Sequence, residues 1–322
     1  MCQLSYFLQE NRTKLGLTQL ALVEELSCRY VEFKELTIAT YGRWERGVKI
    51  PSAKKIILLG KYFNVEMMSF VKSIDIKLST SRIKAFDFWL DKYHQIGRWN
   101  LLFGYNLVSV GEKKIIKFDS QKGGCIDEVY NKEMVKKIAK HGAKVLGIAE
   151  DDCFDAYDRK KWAKCGALFH FIYLNMKSNE VETHSSMSLI ELSQLDEFID
   201  LYQKSKLNRH NISPPDLTNE CFLFIHVNFP YCKEWNEYIL DEIILLVLTH
   251  RKVKKVVINS WLIDNVTEMN SLFNGQILVS KENALYPENP LLVLFGFSVV
   301  DFISNHGVVN RIKTKLSKLI LE

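Results

Sequence analysis

The sequence predicts a multidomain protein: an all-α N-terminal domain followed by a mixed α/β (α+β) C-terminal region. Three observations lead there. Residues 4–63 set apolar side chains at helical spacing between residues that start and stop helices. From about residue 83, short apolar runs of strand length alternate with amphipathic stretches. The chain is 322 residues long, 47% hydrophobic and 25% charged, which suits two folded cores and excludes wholesale disorder.

The N-terminal elements follow in order. Leu4, Phe7, Leu8 and Leu15 line a first helix. Thr18 is a good N-cap, because its hydroxyl can accept from a free N–H of the next turn. Gln19 then stands at a helix start, where its side chain and the positive helix end both suit a phosphate. Leu20, Val23 and Leu26 continue the stripe. A second short helix fits residues 37–45, with Thr37 as cap and Tyr41 and Trp44 on one face. Ile38, Ala39, Thr40 and Arg43 occupy the other face. Gly47 suits a left-handed helix stop and Pro51 blocks continuation. Residues 53–63 resume a helix on Ile56, Ile57, Leu59 and Phe63.

Arg12, Gly16-Leu17-Thr18-Gln19, Tyr41-Gly42-Arg43-Trp44-Glu45-Arg46-Gly47 and Pro51 fall in the order of a known pattern. Over roughly residues 3–70 the chain resembles the lambda-repressor/Cro-like (XRE) helix-turn-helix family, which reads R-x₃-G-L-T-Q and then I-x-x-W-E-R-G-x-x-x-P. Tyr41 stands where that family usually has Ile or Val. About eight extra residues, near positions 28–35, lengthen the first helix or widen the turn. The resemblance implies that residues 37–43 enter a major groove. Ile38, Ala39, Thr40 and Arg43 would then face base edges, with Arg43 able to grip guanine O6 and N7. Gln19, Arg46 and Lys49 would hold phosphates, which positions the protein without reading sequence. Trp44 reads as core, and Glu45 and Arg46 as fixing the helix end.

Charge agrees with that expectation. Residues 1–80 hold twelve Lys and Arg against eight Asp and Glu, which is most of the chain's net +5. No apolar run reaches the 18 or so residues that would span a membrane, and the N-terminus lacks a signal-peptide pattern, so a cytoplasmic protein is expected. Seven scattered cysteines with no C-x-x-C pair argue against a disulfide framework or a zinc ribbon.

Expected domain bounds are 1–72 for DNA binding, 73–82 as linker and 83–322 as an α/β sensory and oligomerisation region, with a division into two subdomains left open. Within that region, 83–95, 132–141, 194–204, 235–248 (the longest), 267–273 and 305–321 read as helices. Stretches 101–110 and 114–118 read as a hairpin. Stretches 143–148, 165–176, 186–192, 221–229, 253–262, 276–280 and 291–302 read as strands.

No reaction is signalled there. Ser185-Ser186-Met187-Ser188 only echoes a self-cleaving repressor, and no phosphate-binding glycine loop occurs. The acidic run 150–158 lacks the glycine turn of a calcium loop. Cys165 with His170, and His226 with Cys232, read as buried residues rather than metal ligands. Residues 188–202 are faintly similar to the opening of acetyltransferases of the GNAT fold. That fold's acyl-coenzyme A loop, Q/R-x-x-G-x-G/A, has no counterpart after the 221–229 strand.

The expectation is therefore a non-enzymatic, sequence-specific DNA-binding transcriptional regulator without cofactor or metal. Its partners would be double-stranded DNA with a palindromic operator, a second copy of the chain, and a small-molecule or protein effector. The alternatives are a DNA-targeted enzyme such as a GNAT-like acyltransferase, and an antitoxin-like interaction protein.

Overall fold

The computed structural model describes residues 3–102, 113–119, 162–177, 180–204, 212–228, 232–260, 263–282 and 291–316. The expected helix at 132–141, the strand at 143–148 and the acidic run 150–158 lie outside them. Two compact units emerge. One joins residues 1–88 to 300–322, and the other holds 89–299.

The first unit is all helical. Helices α1 (Gln3–Lys14), α2 (Gln19–Arg29), α3 (Ile38–Glu45), α4 (Ala53–Tyr62) and α5 (Met67–Ser73) follow one another, and α6 (Thr80–Leu102) begins here. Side chains start most of them. Thr18, Thr37, Ser52 and Glu66 accept from the backbone N–H groups of Ala21, Thr40, Lys55, and Met68 with Ser69. Left-handed residues stop three: Gly16, Gly47 and Asn64 have φ of 68°, 70° and 54°. Leu8, Leu22, Leu26, Phe33, Tyr41, Ile56, Ile57 and Leu59 are fully buried between the helices. Phe7 packs on Phe70 at 4.6 Å and edge-on to Phe63 at 5.6 Å.

The end of the chain completes this unit. A short helix α10 (Val299–Ser304) and a final helix α11 (His306–Thr314) bury Phe302, Ile303, Val308, Val309 and Ile312, and Leu316 just beyond is buried too. Lys313 Nζ donates to the carbonyl of Ile74 at 2.6 Å, and the Ser79 N–H donates to His306 Nδ1 at 2.8 Å. Residues 73–82, read from sequence as a linker, therefore carry buried Ile74 and Ile76 and are bonded to α11.

Among the described residues, the second unit forms a seven-stranded mixed sheet in the order β1-β2-β3-β4-β5-β7-β6. Its strands are β1 (Lys113–Asp119), β2 (Leu168–Asn175), β3 (Glu180–Glu191), β4 (Cys221–Asn228), β5 (Val253–Ser260), β6 (Gln276–Glu282) and β7 (Leu291–Ser298). β4 and β5 are parallel, and the other described pairs are antiparallel. The parallel pair needs a crossover, which α8 (Lys233–Thr249) supplies. Helix α7 (Leu195–Gln203) packs Phe198 and Tyr202 on one face, against Ile190, Phe222, Phe224, Val257 and Leu294. On the other face Trp235 and Tyr238 of α8 meet Tyr173 and Phe171, and α9 (Ile263–Phe273) stacks Phe273 on Phe297.

An all-helical N-terminal region followed by a mixed α+β region is thus what the chain forms. Three expected elements need correction. Leu101 and Leu102 end α6 rather than start a strand, and residues 103–110 of that strand lie outside the described residues. α6, with 23 residues, exceeds the 17 of α8, and within it Trp89 and Lys92 meet Phe273 and Glu268. The expected long strand 291–302 stops at Ser298, and its apolar continuation forms α10, where Phe302 and Ile303 enter the helical core.

Candidate nucleic-acid interface

α3 is two turns long, and its two faces differ sharply. Tyr41 and Trp44 are buried, 0% and 3% exposed, and stand edge-on to one another at 6.1 Å. Burial, with the adjacent Glu45 carboxylate, pushes the Tyr41 phenol far above its ordinary value, so it stays neutral. Ala39 and Arg43 are exposed on the side away from Tyr41 and Trp44, Thr37 and Ile38 are exposed at the start of the helix, and Thr40 is half-buried. The Thr37 hydroxyl donates to Thr40 Oγ1 at 3.0 Å while accepting the Thr40 N–H, which fixes the first turn. At the far end the Gly47 N–H donates to the Trp44 carbonyl and the Val48 N–H to the Arg43 carbonyl, at 3.0 and 2.9 Å. That closed stop sends Val48, Lys49 and Ile50 outward, all exposed.

A charged knot fixes α3 to the rest of the unit. Arg12 donates from Nε to Glu45 Oε1 at 2.7 Å and from Nη2 to Oε2 at 3.3 Å. Its Nη1 donates to the Leu17 carbonyl at 2.7 Å, which ties down the turn before α2. Gln19 Nε2 donates to Glu45 Oε2 at 2.6 Å. The hydrogen bond to Glu45, against some burial, holds the Arg12 guanidinium above its ordinary pKa. Gly42 makes room for this knot: a Cβ there would meet Arg46 Nη1 at 3.2 Å and Gln19 Oε1 at 3.3 Å.

The extra residues between α2 and α3 widen the turn. Val31–Phe33 form one 3₁₀ turn, and Phe33 is fully buried, edge-on to Trp44 at 6.4 Å. Ser27 Oγ donates to the Phe33 carbonyl at 2.8 Å, and the Leu36 N–H donates to the same oxygen at 2.8 Å. The stretch is therefore anchored at both ends.

Of the residues singled out in the sequence, Thr37, Ile38, Ala39, Thr40 and Arg43 lie on or at the start of α3, Arg46 and Lys49 follow its end, and Gln19 opens α2. Gln19 commits one of its two amide N–H groups to Glu45 instead of presenting both outward. Glu45 fastens α3 to α1 and α2 rather than closing its own helix. Arg43, exposed, forms no ion pair among the described residues, so it is not spent on Glu45. Arg46 and Lys49 are likewise exposed. Sequence reading missed that Arg12 and Glu45 are partners, because 33 positions separate them.

β4 and β5 stay paired as far as Ile225 and Ile258. Beyond that, β4 pairs on through Val227 and Asn228 with β3, and β5 through Asn259 and Ser260 with β7. The two strands part at their carboxyl ends. His226 is the extra residue of a bulge there, and its Nε2 lies 2.6 Å from Ser188 Oγ. Tyr202 donates to Asn259 Oδ1 at 2.7 Å, and burial pushes its phenol up to about 12. Cys165 lies outside β2 and His170 within it, and no group of three or more His, Cys, Asp or Glu among the described residues is placed to hold a metal ion. No helix among the described residues is long and apolar enough to cross a membrane.

No protein-family model matches the chain, and no curated protein matches it significantly.

Proposed function

We propose that the protein is a sequence-specific DNA-binding transcriptional regulator whose α2 and α3 act as a lambda-repressor/Cro-like helix-turn-helix. The observation that carries this reading is the outward row on α3. Thr37, Ile38, Ala39 and Arg43 are exposed, with Thr40 half-buried beside them, on a helix held rigidly from behind by Arg12, Gln19 and Glu45. A rigid helix with an accessible polar and small-residue face is what major-groove reading needs. Arg43 would read a guanine, and Arg46, Lys49 and the outward part of Gln19 would hold phosphates. One such unit reads a half-site, so a homodimer on a palindromic operator is part of the proposal. The second unit would serve oligomerisation and sensing of a small-molecule or protein effector, in a cytoplasmic protein. The test is selection of binding sites from random duplex DNA with the full chain, followed by a salt titration on the winning sequence. A two-fold symmetric consensus supports the reading; indifferent, salt-sensitive binding to every duplex refutes it.

A second reading, a DNA-targeted acyltransferase similar to the GNAT fold, is favoured by the parting of β4 and β5 after Ile225 and Ile258. In open sheets, ligands bind beyond the carboxyl ends of parallel strands where neighbours diverge. Against it, residues 229–235 contain no glycine to bring backbone amides around a pyrophosphate. Calorimetric titration of the full chain with acetyl-coenzyme A separates the two: saturable binding favours the enzyme, and none leaves the regulator.

A further inference from the structure

Lys54 lies at the start of α4 and pairs in two directions. Its Nζ is 3.0 Å from Glu32 Oε1, in the 3₁₀ turn between α2 and α3, and 2.7 Å from Asp301 Oδ1, in α10. All three side chains are largely covered, at 24%, 32% and 16% exposure for Glu32, Lys54 and Asp301. Glu32 is next to Phe33, whose ring packs on Trp44 of α3 and whose carbonyl holds both Ser27 and Leu36. Thr37, the cap of α3, is the very next residue after Leu36. Lys55, beside Lys54, sets its ammonium over the rings of Phe33 and Trp44 at 5.7 and 5.9 Å. Asp301 is three residues past the end of β7, and the chain runs from β7 into α10 without a break. An ionic link thus joins the returning C-terminal segment to the turn that precedes α3.

We propose that Asp301 and Lys54 are positioning residues for DNA recognition, acting through Glu32 and the 3₁₀ turn to set the entry of α3. This rests on the DNA-binding reading. It gives the extra residues between α2 and α3 a role: they reach Lys54, and through it the C-terminal segment. An effector that displaced α10 would then change α3 without touching DNA. The link is a pair of discrete ionic contacts, so it can be removed without emptying a core.

Two measurements on the full chain test it. In hydrogen exchange without DNA, Asp301→Asn is expected to speed exchange at the Leu36 and Tyr41 amides while α1 and α5 keep their protection. With DNA, the probes are the duplex that the wild-type chain selects and an unrelated duplex of equal length. Asp301→Asn and Lys54→Met are each expected to lower affinity for the selected duplex about fivefold or more. Neither should change binding to the unrelated duplex or the salt slope, and Lys54→Arg should restore the selected affinity. The double variant should be no weaker than Lys54→Met alone, because both act along one path. Unchanged exchange at Leu36 and Tyr41 in Asp301→Asn overturns the proposal, whatever happens with DNA. So does an equal loss on both duplexes in Lys54→Met with a salt slope flatter by about one, the mark of a phosphate contact. A wild-type chain that selects no sequence defeats the DNA-binding reading instead, and the exchange result still decides whether Asp301 holds the turn.

Discussion

The Arg12 guanidinium closes on the Glu45 carboxylate across 33 positions of sequence, Nε to Oε1 at 2.7 Å. The side chains are 16% and 6% exposed, so the pair is partly screened from water. Removing Glu45 leaves the partly covered Arg12 guanidinium with only the Leu17 carbonyl as a hydrogen-bond acceptor and leaves Gln19 Nε2 without Glu45. Glu45→Ala is expected to destabilise the helical unit by about 3 kcal/mol. Hydrogen exchange at α3 amides measures it. A change under about 0.5 kcal/mol, the level of an exposed pair, would show that the contact is only a surface one.

On the proposed interface, Arg43 and Lys49 separate reading from holding. Arg43→Ala should cost about 1–3 kcal/mol on the selected duplex and relax one base position. Lys49→Ala should weaken all sequences alike and flatten the salt slope by about one unit. Competition binding at several salt concentrations distinguishes the two. If Arg43→Ala kept both affinity and selected sequence, α3 would not be the reading helix.

Gly307 tests how far the C-terminal helix belongs to the helical unit. A Cβ there would fall 2.2 Å from Phe86 Cγ and 2.4 Å from Phe86 Cβ, at the root of the side chain where rotation gives no relief. Gly307→Ala should cost about 2 kcal/mol, in the range of overpacked cores, although alanine is ordinarily the better helix former. Urea unfolding followed through the helical unit provides the number; a stabilised variant would mean that α11 does not pack on Phe86.

Stability should also depend on pH through His306. Its Nδ1 accepts the Ser79 N–H, which requires the neutral ring. Burial, then the charge of Arg82, lowers its pKa from 6.5. The folded state therefore binds fewer protons than the unfolded state. The contribution is complete above the unfolded value of about 6.5 and is lost as pH falls from there through the lower folded value. Protection of the Ser79 amide should be flat from pH 8 to 7 and fall toward pH 5. His306→Gln should remove that slope, and a wild-type slope of opposite sign would exclude His306 as its source.

How much of this was legible in the sequence depends on the range of the interaction. Thr18 and Thr37 cap helices because a hydroxyl reaches an N–H three residues ahead, and Gly16 and Gly47 stop them because glycine takes a positive φ. The outward placing of Ala39 and Arg43, four apart, follows from helical period alone, whereas that period sets Ile38 beside Gly42 and Glu45, and only the tertiary structure leaves it exposed. Most strands of the sheet were likewise visible as apolar runs of the right length. The break at Ser298 was not, since Val299, Phe302 and Ile303 are as apolar as the strand before them. What ends β7 is the core those residues enter, and a run of apolar residues does not name its core.

By itself, then, the sequence determined the local geometry: where helices of the N-terminal unit begin and end, and which side of α3 faces out. Only the tertiary structure decided which distant groups complete that unit. The Arg12–Glu45 pair, the return of α11 to Ile74 and Ser79, and the Glu32–Lys54–Asp301 link join residues far apart in the chain. The parting of β4 from β5 likewise depends on the partners each strand takes, β3 on one side and β7 on the other. A cap or a stripe is settled within one or two turns of backbone; a partner 33 or 239 positions away is settled only when the chain has closed the loop between them.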